Sequence, residues 1–190
     1  PVPFMFYTGY LTIKSFKKEG WDDMDDLIFT LGYPNREVAR GFINQLVPAV
    51  TALNRDKAAV YVRELRDLLN SGDIEGFMSA MKSFYAGIPY ELESRNEYFY
   101  QNVMYCVGKL LGFYVQAEYR TSAGRIDLVL GTKTTVYIME FKLDGTADDA
   151  LAQIERKEYA LPFALDGRRV VKVGANFDAS TRTLGQWIVK

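Results

Sequence analysis

The sequence predicts an α/β fold: a mixed β-sheet with helices on its faces, preceded by a mainly helical subdomain that opens with a β-hairpin. Three observations carry this prediction. The second half of the chain reads as helix, three strands, helix, strand, with one further strand at its end. Three strands followed by a helix and another strand favour a mixed sheet. The first half instead is rich in helical patterns, and the switch falls near Gly87-Ile88-Pro89. The subdomain boundary is therefore expected near residue 90, with residues 1–90 and 91–190 as the two parts.

Taken in order, "TGYLTIKSF" (8–16) carries β-branched and aromatic residues after a glycine and reads as a strand. "KKEGWDDMDD" (17–26) is a polar link, and "LIFTLGYP" (27–34) a second strand ended by Gly32 and Pro34. Asn35 is placed to cap a helix over 36–53, with Val38, Phe42, Leu46 and Val50 in register. A helix over 55–70 places Val62, Leu65, Leu68 and Leu69 on one stripe, and Ser71-Gly72 stops it. Asp73 can cap the next helix, which carries Ile74, Phe77, Met78, Met81, Phe84 and Tyr85.

The second part opens with a helix over about 94–111, striped by Phe99, Val103, Cys106, Val107 and Leu110 and closed by Gly112. Strands follow at 113–120, 125–131 and 135–143, the last two joined by a short hairpin loop from Gly131 to Thr134. A helix is expected at about 146–161, then strands at 169–177 and 185–190.

The bulk composition narrows the chemistry. The chain has 190 residues, 48% of them hydrophobic and 14% aromatic, so a ring-rich core is expected. Its one cysteine, Cys106, excludes an internal disulfide and fits a reducing compartment such as the cytoplasm. With no histidine, a structural zinc site is disfavoured and the usual general base is missing. No apolar run approaches the ~18 residues of a membrane span, so no membrane partner is expected. The net charge is -1, and neither half of the chain is basic, so any polyanion site must be local. The chain starts at Pro1 and enters the apolar stretch "PVPFMFYTGY" at once, as a piece of a longer protein would.

"GRIDLVLGTKTTVYIMEFKLD" (124–144) puts charges into the most strand-like part of the sequence. Glu140 and Lys142 are two apart and share one face of a strand. A loop centred near residues 132–133 would pair residue 127 with about residue 138, leaving Glu140 one diagonal step from Asp127. Two close carboxylates repel unless something positive sits between them. Lys142 supplies one charge, and without a metal it would fold onto Glu140. A hard divalent cation supplies more, and Mg²⁺ is typically held by one or two carboxylates with water and substrate phosphate. Such an ion acidifies its water and stabilises charge on a phosphoryl oxygen, chemistry that needs no histidine. The plainer reading is a solvated polar face of a half-exposed strand. The apolar residues flanking both strands favour a cleft instead. On the next helix Gln153 and Lys157, at i and i+4, share a face from which Gln153 can reach an ion or a phosphate beside Glu140.

Asp127, then Glu140-x-Lys142, then a helix with Gln153, preceded by a helix with Glu97, together resemble the PD-(D/E)XK nuclease superfamily. More closely, "GRIDLVL", "YIMEFKLDGTADDALAQIERKEYA" and "GANFD" are similar to the C-terminal nuclease domain of a bacterial AAA-ATPase-like family of the Bacteroidetes type. "TGYLTIK" and "LGYPNREV" resemble the segment that joins ATPase to nuclease there. The resemblance implies an αβββαβ restriction-endonuclease-like core and metal-dependent hydrolysis of phosphodiester bonds. It implies Asp127, Glu140 and the backbone carbonyl of Phe141 as metal ligands, with Glu97 as an extra acidic ligand. Lys142 becomes the catalytic lysine and Gln153 a catalytic-site polar residue. The implied cofactor is Mg²⁺, with Mn²⁺ as a substitute. The implied partners are DNA, with RNA left open, an upstream ATPase domain of the same protein, and a second copy of the chain in a homodimer. Two departures stand out. Ile126, not proline, precedes Asp127, and the spacing from Gln153 to Tyr159 differs from the family's Gln-x-x-x-Tyr. The alternative function is a catalytically silent nuclease-like fold that binds nucleic acid or assembles domains; the neutral charge favours it, the intact acidic pair and lysine oppose it.

Overall fold

The structure is a computed structural model and describes residues 2–19, 26–35, 37–38, 41, 55–88 and 97–190. The chain divides into two compact units, Pro1–Val47 and Pro48–Lys190. In the first, helix α1 (Val2–Tyr7) precedes an antiparallel hairpin of β1 (Thr12–Glu19) and β2 (Asp26–Gly32), with Thr12 opposite Gly32. The first strand thus begins four residues later than its sequence pattern suggests. Gly9, at φ 79°, turns the chain back so that Leu11 N–H donates to the Met5 carbonyl (3.0 Å), which delays the strand. The Asn35 side chain accepts a hydrogen bond from Val38 N (2.8 Å), as an N-cap does. Most of the helix expected over 36–53 lies outside the described residues.

The second unit holds α2 (Arg55–Ser71), α3 (Ile74–Ala86) and α4 (Glu97–Leu110), followed by β3 (Tyr114–Thr121), β4 (Gly124–Gly131) and β5 (Thr135–Leu143). Then come α5 (Ala147–Arg156), a 3₁₀ turn at Leu161–Phe163, β6 (Arg169–Asp178) and β7 (Thr183–Val189). The sheet order is β3-β4-β5-β6-β7. The β5–β6 pair is parallel and the other three are antiparallel, so the sheet is mixed, as expected. An α/β core of order αβββαβ with one added strand is consistent with a restriction-endonuclease-like architecture.

Local chemistry explains the helix ends. Gly72, at φ 81°, stops α2, and Asp73 caps α3 by accepting from Gly76 N (2.8 Å). All six apolar residues of the α3 stripe are buried. Helix α4 is rotated from its expected stripe. Tyr100, Gln101, Met104 and Val107 are buried while Cys106 is exposed. The face turned inward carries Tyr, Gln and Met, which a count of aliphatic residues undervalues. Gly108 also lies on that face, where a Cβ would sit 2.6 Å from Val115 Cγ2, so α4 lies close on β3. Helix α5 ends at Arg156, five residues before its expected limit, because Glu158 takes a left-handed φ of 49° and Pro162 follows.

Helix α3 shares a core with the sheet. Tyr85 donates its hydroxyl to the Tyr100 carbonyl (2.6 Å) and packs edge-on against Phe177 (5.1 Å between centroids). Phe177 stacks on Tyr100 (4.5 Å) and meets Phe141 of β5 (5.4 Å). The compact division therefore falls at 47/48, and the boundary expected near residue 90 runs between parts that share this cluster. Burying the α3 stripe contributes on the order of 10 kcal/mol at ~1.5–3 kcal/mol per large apolar side chain, comparable to a domain's whole net stability. A fragment of residues 91–190 should accordingly show no cooperative thermal transition by circular dichroism, whereas residues 48–190 should melt cooperatively. A sharp melt of the shorter fragment would mean that the sheet half stands alone.

Candidate active site

Strands β4 and β5 are paired from Gly131↔Val136 to Leu128↔Met139. The next step of that register sets Asp127 directly opposite Glu140, closer than the diagonal read from the sequence. The difference comes from the turn. It is closed by Thr132 N donating to the Thr135 carbonyl (2.8 Å), with the Thr132 hydroxyl accepting from Thr135 N (3.0 Å), so its centre lies one residue later than expected.

At Asp127 side chains replace the ladder. The Asp127 carboxylate accepts the Phe141 N–H (2.8 Å), and the Asp127 carbonyl accepts from Gln101 Nε2 (2.5 Å). In an extended strand a residue's N–H and C=O point to the same edge, so the Phe141 carbonyl also lies on the Asp127 side. The Phe141 ring is fully buried against Phe177 and fixes this stretch of backbone.

Glu140 is 0% exposed, an extreme position for a carboxylate. Its Oε2 accepts from Gln153 Nε2 (2.9 Å), while its Oε1 is buried with no hydrogen-bond donor. Lys142 does not fold onto Glu140. Its ammonium donates to Gln153 Oε1 (2.8 Å), and the Gln153 amide stands between the two charges. Gln153 reaches this point because α5 lies tight on β6. A Cβ at Gly174, which pairs with Glu140, would meet the Ala147 carbonyl and Leu151 N at 2.5 Å.

The electrostatics follow from burial. The Glu140 carboxyl is pushed up to about 9, first by desolvation and then by the Asp127 carboxylate beside it. Asp127 is also raised by burial, partly offset by the Phe141 N–H. At neutral pH the metal-free pair therefore favours holding a proton, with Glu140 protonated towards Asp127.

Of the other residues singled out, Glu97 stands in the first turn of α4 and its Oε2 accepts the Leu143 N–H (3.1 Å). Among the described residues, no cluster of three or more His, Cys, Asp or Glu side chains forms. The site thus brings Asp127, Glu140, Phe141, Lys142 and Gln153 together, with Glu97 beside them, its Oε2 on the β5 backbone and its charge near enough to raise Asp127. Lys157 is the exposed C-cap of α5. Tyr159, by contrast, is buried. The left-handed turn at Glu158 swings it inward, so that its hydroxyl reaches the Gln153 side chain and lies against Gly124. Burial and the nearby Glu140 charge raise the Tyr159 hydroxyl.

Sequence reasoning missed two polar residues here. Gln101, 3% exposed, donates both to Asp127 and to Glu118 Oε1 (3.2 Å). Glu118 takes φ 52° within β3 and pairs with Arg125 (2.7 Å). The spacing of Glu97 and Gln101, one helical turn apart, was the available signal for the first. The left-handed turn inside a strand has no sequence signal.

Comparison with known proteins adds two findings. Residues 95–187 match the family model of the PD-(D/E)XK nuclease superfamily. The chain is also similar to a protein of Azotobacter chroococcum mcd 1 described as "Uncharacterized protein in vnfD 5'region", with 30% identity over 197 residues. That alignment takes in 98% of this chain and 36% of the relative, so the chain spans about a third of the relative's length. No solved structure matches.

Proposed function

With residues 95–187 similar to the PD-(D/E)XK nuclease superfamily, we propose that residues 91–190 carry a metal-dependent nuclease centre that hydrolyses DNA phosphodiester bonds. One observation carries the reading: a fully buried Glu140 set opposite Asp127 and tied through Gln153 to Lys142. Two facing buried carboxylates raise each other's cost, and a bound cation would relieve it. Two carboxylates and a backbone carbonyl form an all-oxygen donor set, which suits Mg²⁺ and its substitute Mn²⁺. Asp127, Glu140 and the Phe141 carbonyl would hold the ion. When bound, it would acidify a water and neutralise charge on the phosphoryl oxygens. Gln153 fixes the distance between the Glu140 carboxylate and the Lys142 ammonium. Lys142 then presents a positive charge at the rim of the acidic pair, where it can orient the attacking water. Tyr159 holds Gln153 from the other side.

The resemblance of residues 8–14 and 31–38 to an ATPase–nuclease joint supports an upstream ATPase-like domain in the full protein. Among the described residues no helix is long and apolar enough to cross a membrane. A second reading, a catalytically silent fold that only binds nucleic acid or assembles domains, is favoured by the net charge of -1, since phosphate contacts normally draw on Lys and Arg.

Cleavage assays separate the two. The chain is incubated with single-stranded DNA, double-stranded DNA and RNA oligonucleotides in Mg²⁺, Mn²⁺ or EDTA. DNA should be cut only with metal. Binding without cleavage under every metal condition would select the silent reading.

A further inference from the structure

Two residues one turn apart on α4 reach across to the two strands of the site where those strands part. Glu97 Oε2 accepts the Leu143 N–H of β5 (3.1 Å). Gln101 Nε2 donates to the Asp127 carbonyl of β4 (2.5 Å). The Leu143 N–H lies beyond the β4–β5 ladder, which stops at Leu128↔Met139, and the Asp127 carbonyl faces β3, where the register skips the Glu118–Asp127 pair. An unpaired backbone group buried here would cost a hydrogen bond, so both need a substitute. A primary amide carries two N–H donors, and the second bond of Gln101 goes to Glu118 Oε1 (3.2 Å). Glu118 can receive it because φ 52° lifts it out of the β3–β4 pairing, whose register skips from Ala117↔Leu128 to Tyr119↔Ile126. Arg125 holds the other Glu118 oxygen (2.7 Å). At 3% exposure Gln101 has no water to fall back on.

We infer that Glu97 and Gln101 act as a clamp, positioning residues that fix the ends of β4 and β5 at the acidic pair, and that Glu97 works through hydrogen-bond acceptance and not as a metal ligand. The inference rests on the nuclease reading for its purpose, but not for its geometry. With Asp127 pinned by its carbonyl and its carboxylate bonded to Phe141 N, the carboxylate is aimed at Glu140 before any ligand arrives. Without the clamp, the Asp127 carbonyl and the Leu143 N–H would both lack a partner, and the strand ends that carry Asp127 and Glu140 would be free to shift.

The test uses Glu97→Gln, Glu97→Leu and Gln101→Met in the full chain, with circular dichroism as the check of folding. Two readouts are taken: amide hydrogen exchange at Phe141 and Leu143, and Mn²⁺ binding by calorimetry without substrate. The amide oxygen introduced by Glu97→Gln can still accept the Leu143 N–H, so this variant should keep Leu143 protected and keep Mn²⁺ affinity within about threefold. Glu97→Leu should expose the Leu143 amide, and Gln101→Met the Phe141 amide. Each of these two should weaken Mn²⁺ binding ~10–100-fold, as loss of an outer support typically does. Equal loss of Mn²⁺ affinity in Glu97→Gln and Glu97→Leu would make Glu97 a ligand by charge and overturn the inference. Unchanged exchange at both amides in Glu97→Leu and Gln101→Met would also overturn it. If the wild-type chain binds no Mn²⁺, the nuclease reading fails, while the exchange data still decide the clamp.

Discussion

Glu140→Gln should abolish metal-dependent cleavage, by ~10³-fold or more, while making the metal-free protein more stable. The two effects share one cause. Glu140 is fully buried, its Oε1 has no donor, and Asp127 stands opposite. A glutamine has nearly the same volume, keeps an oxygen for Gln153 Nε2 and offers its own N–H to Asp127. It thereby keeps the contact to Asp127 without the proton that Glu140 must take up on folding at neutral pH, a gain of ~1–3 kcal/mol. For a chain of this size that is a rise of about 3–10 °C in Tm. The pH dependence carries a sign. The Glu140 carboxyl is raised from 4.5 to about 9 in the folded state. Its stabilising contribution is therefore full below about 4.5 and is lost as pH rises through about 9. The metal-free wild type should lose stability between roughly pH 5 and 9, and Glu140→Gln should lose much less over that window. Denaturant melts at several pH values in EDTA measure both. A variant less stable than wild type at pH 8 would mean that Glu140 is held by contacts that outweigh its desolvation.

How much of this is legible in advance depends on where the information lies. Strand β5 is legible to its end residues, because "TVYIMEFKL" is bounded by turn chemistry on both sides and buried on both faces. The α3 stripe is equally plain, since six apolar residues recur at helical spacing behind a capping aspartate. The Asp127–Glu140 pairing is legible to within one diagonal step. The turn is not, because a threonine hydroxyl closes a loop that could as easily have closed one residue earlier. The α4 face misleads because its inward side carries Tyr100, Gln101 and Met104, whose burial follows from tertiary contacts and not from apolarity. Tyr159 illustrates the same limit. On a continued helix it would leave the site, and only the left-handed turn at Glu158 brings it in. The separation into compact units at 47/48 depends on Tyr85 meeting Phe177, a contact between distant parts of the chain that no local pattern encodes.

Lys142→Ala should lower kcat ~10²–10⁴-fold, leave KM for the oligonucleotide almost unchanged, and preserve Mn²⁺ binding. Lys142 lies two residues beyond Glu140 on the same strand face and is half-buried, with its ammonium donating to Gln153 Oε1 at 2.8 Å. That contact is to a neutral amide, so the positive charge is not consumed by a carboxylate. It stays available to a water or a phosphoryl oxygen at the mouth of the acidic pair. Because a cation beside a metal site repels the ion, removing it should leave Mn²⁺ affinity equal or slightly higher. The competing account makes Lys142 a prop for Gln153. Loss of that prop would let the Gln153 amide turn, free Glu140 Oε2 and change metal affinity together with rate. Gln153→Leu supplies the comparison, since it cuts both bonds and leaves Lys142 in place. Lys142→Arg divides the remaining possibilities. A guanidinium keeps the charge but does not give up its proton, so partial activity in the arginine variant would mean that Lys142 acts as charge. An arginine variant as inactive as alanine, with Mn²⁺ affinity intact, would mean that the lysine itself carries a proton to or from the reacting water. A parallel fall of Mn²⁺ affinity and kcat in Lys142→Ala, matching Gln153→Leu, would remove Lys142 from the chemistry and leave it as a support for Gln153.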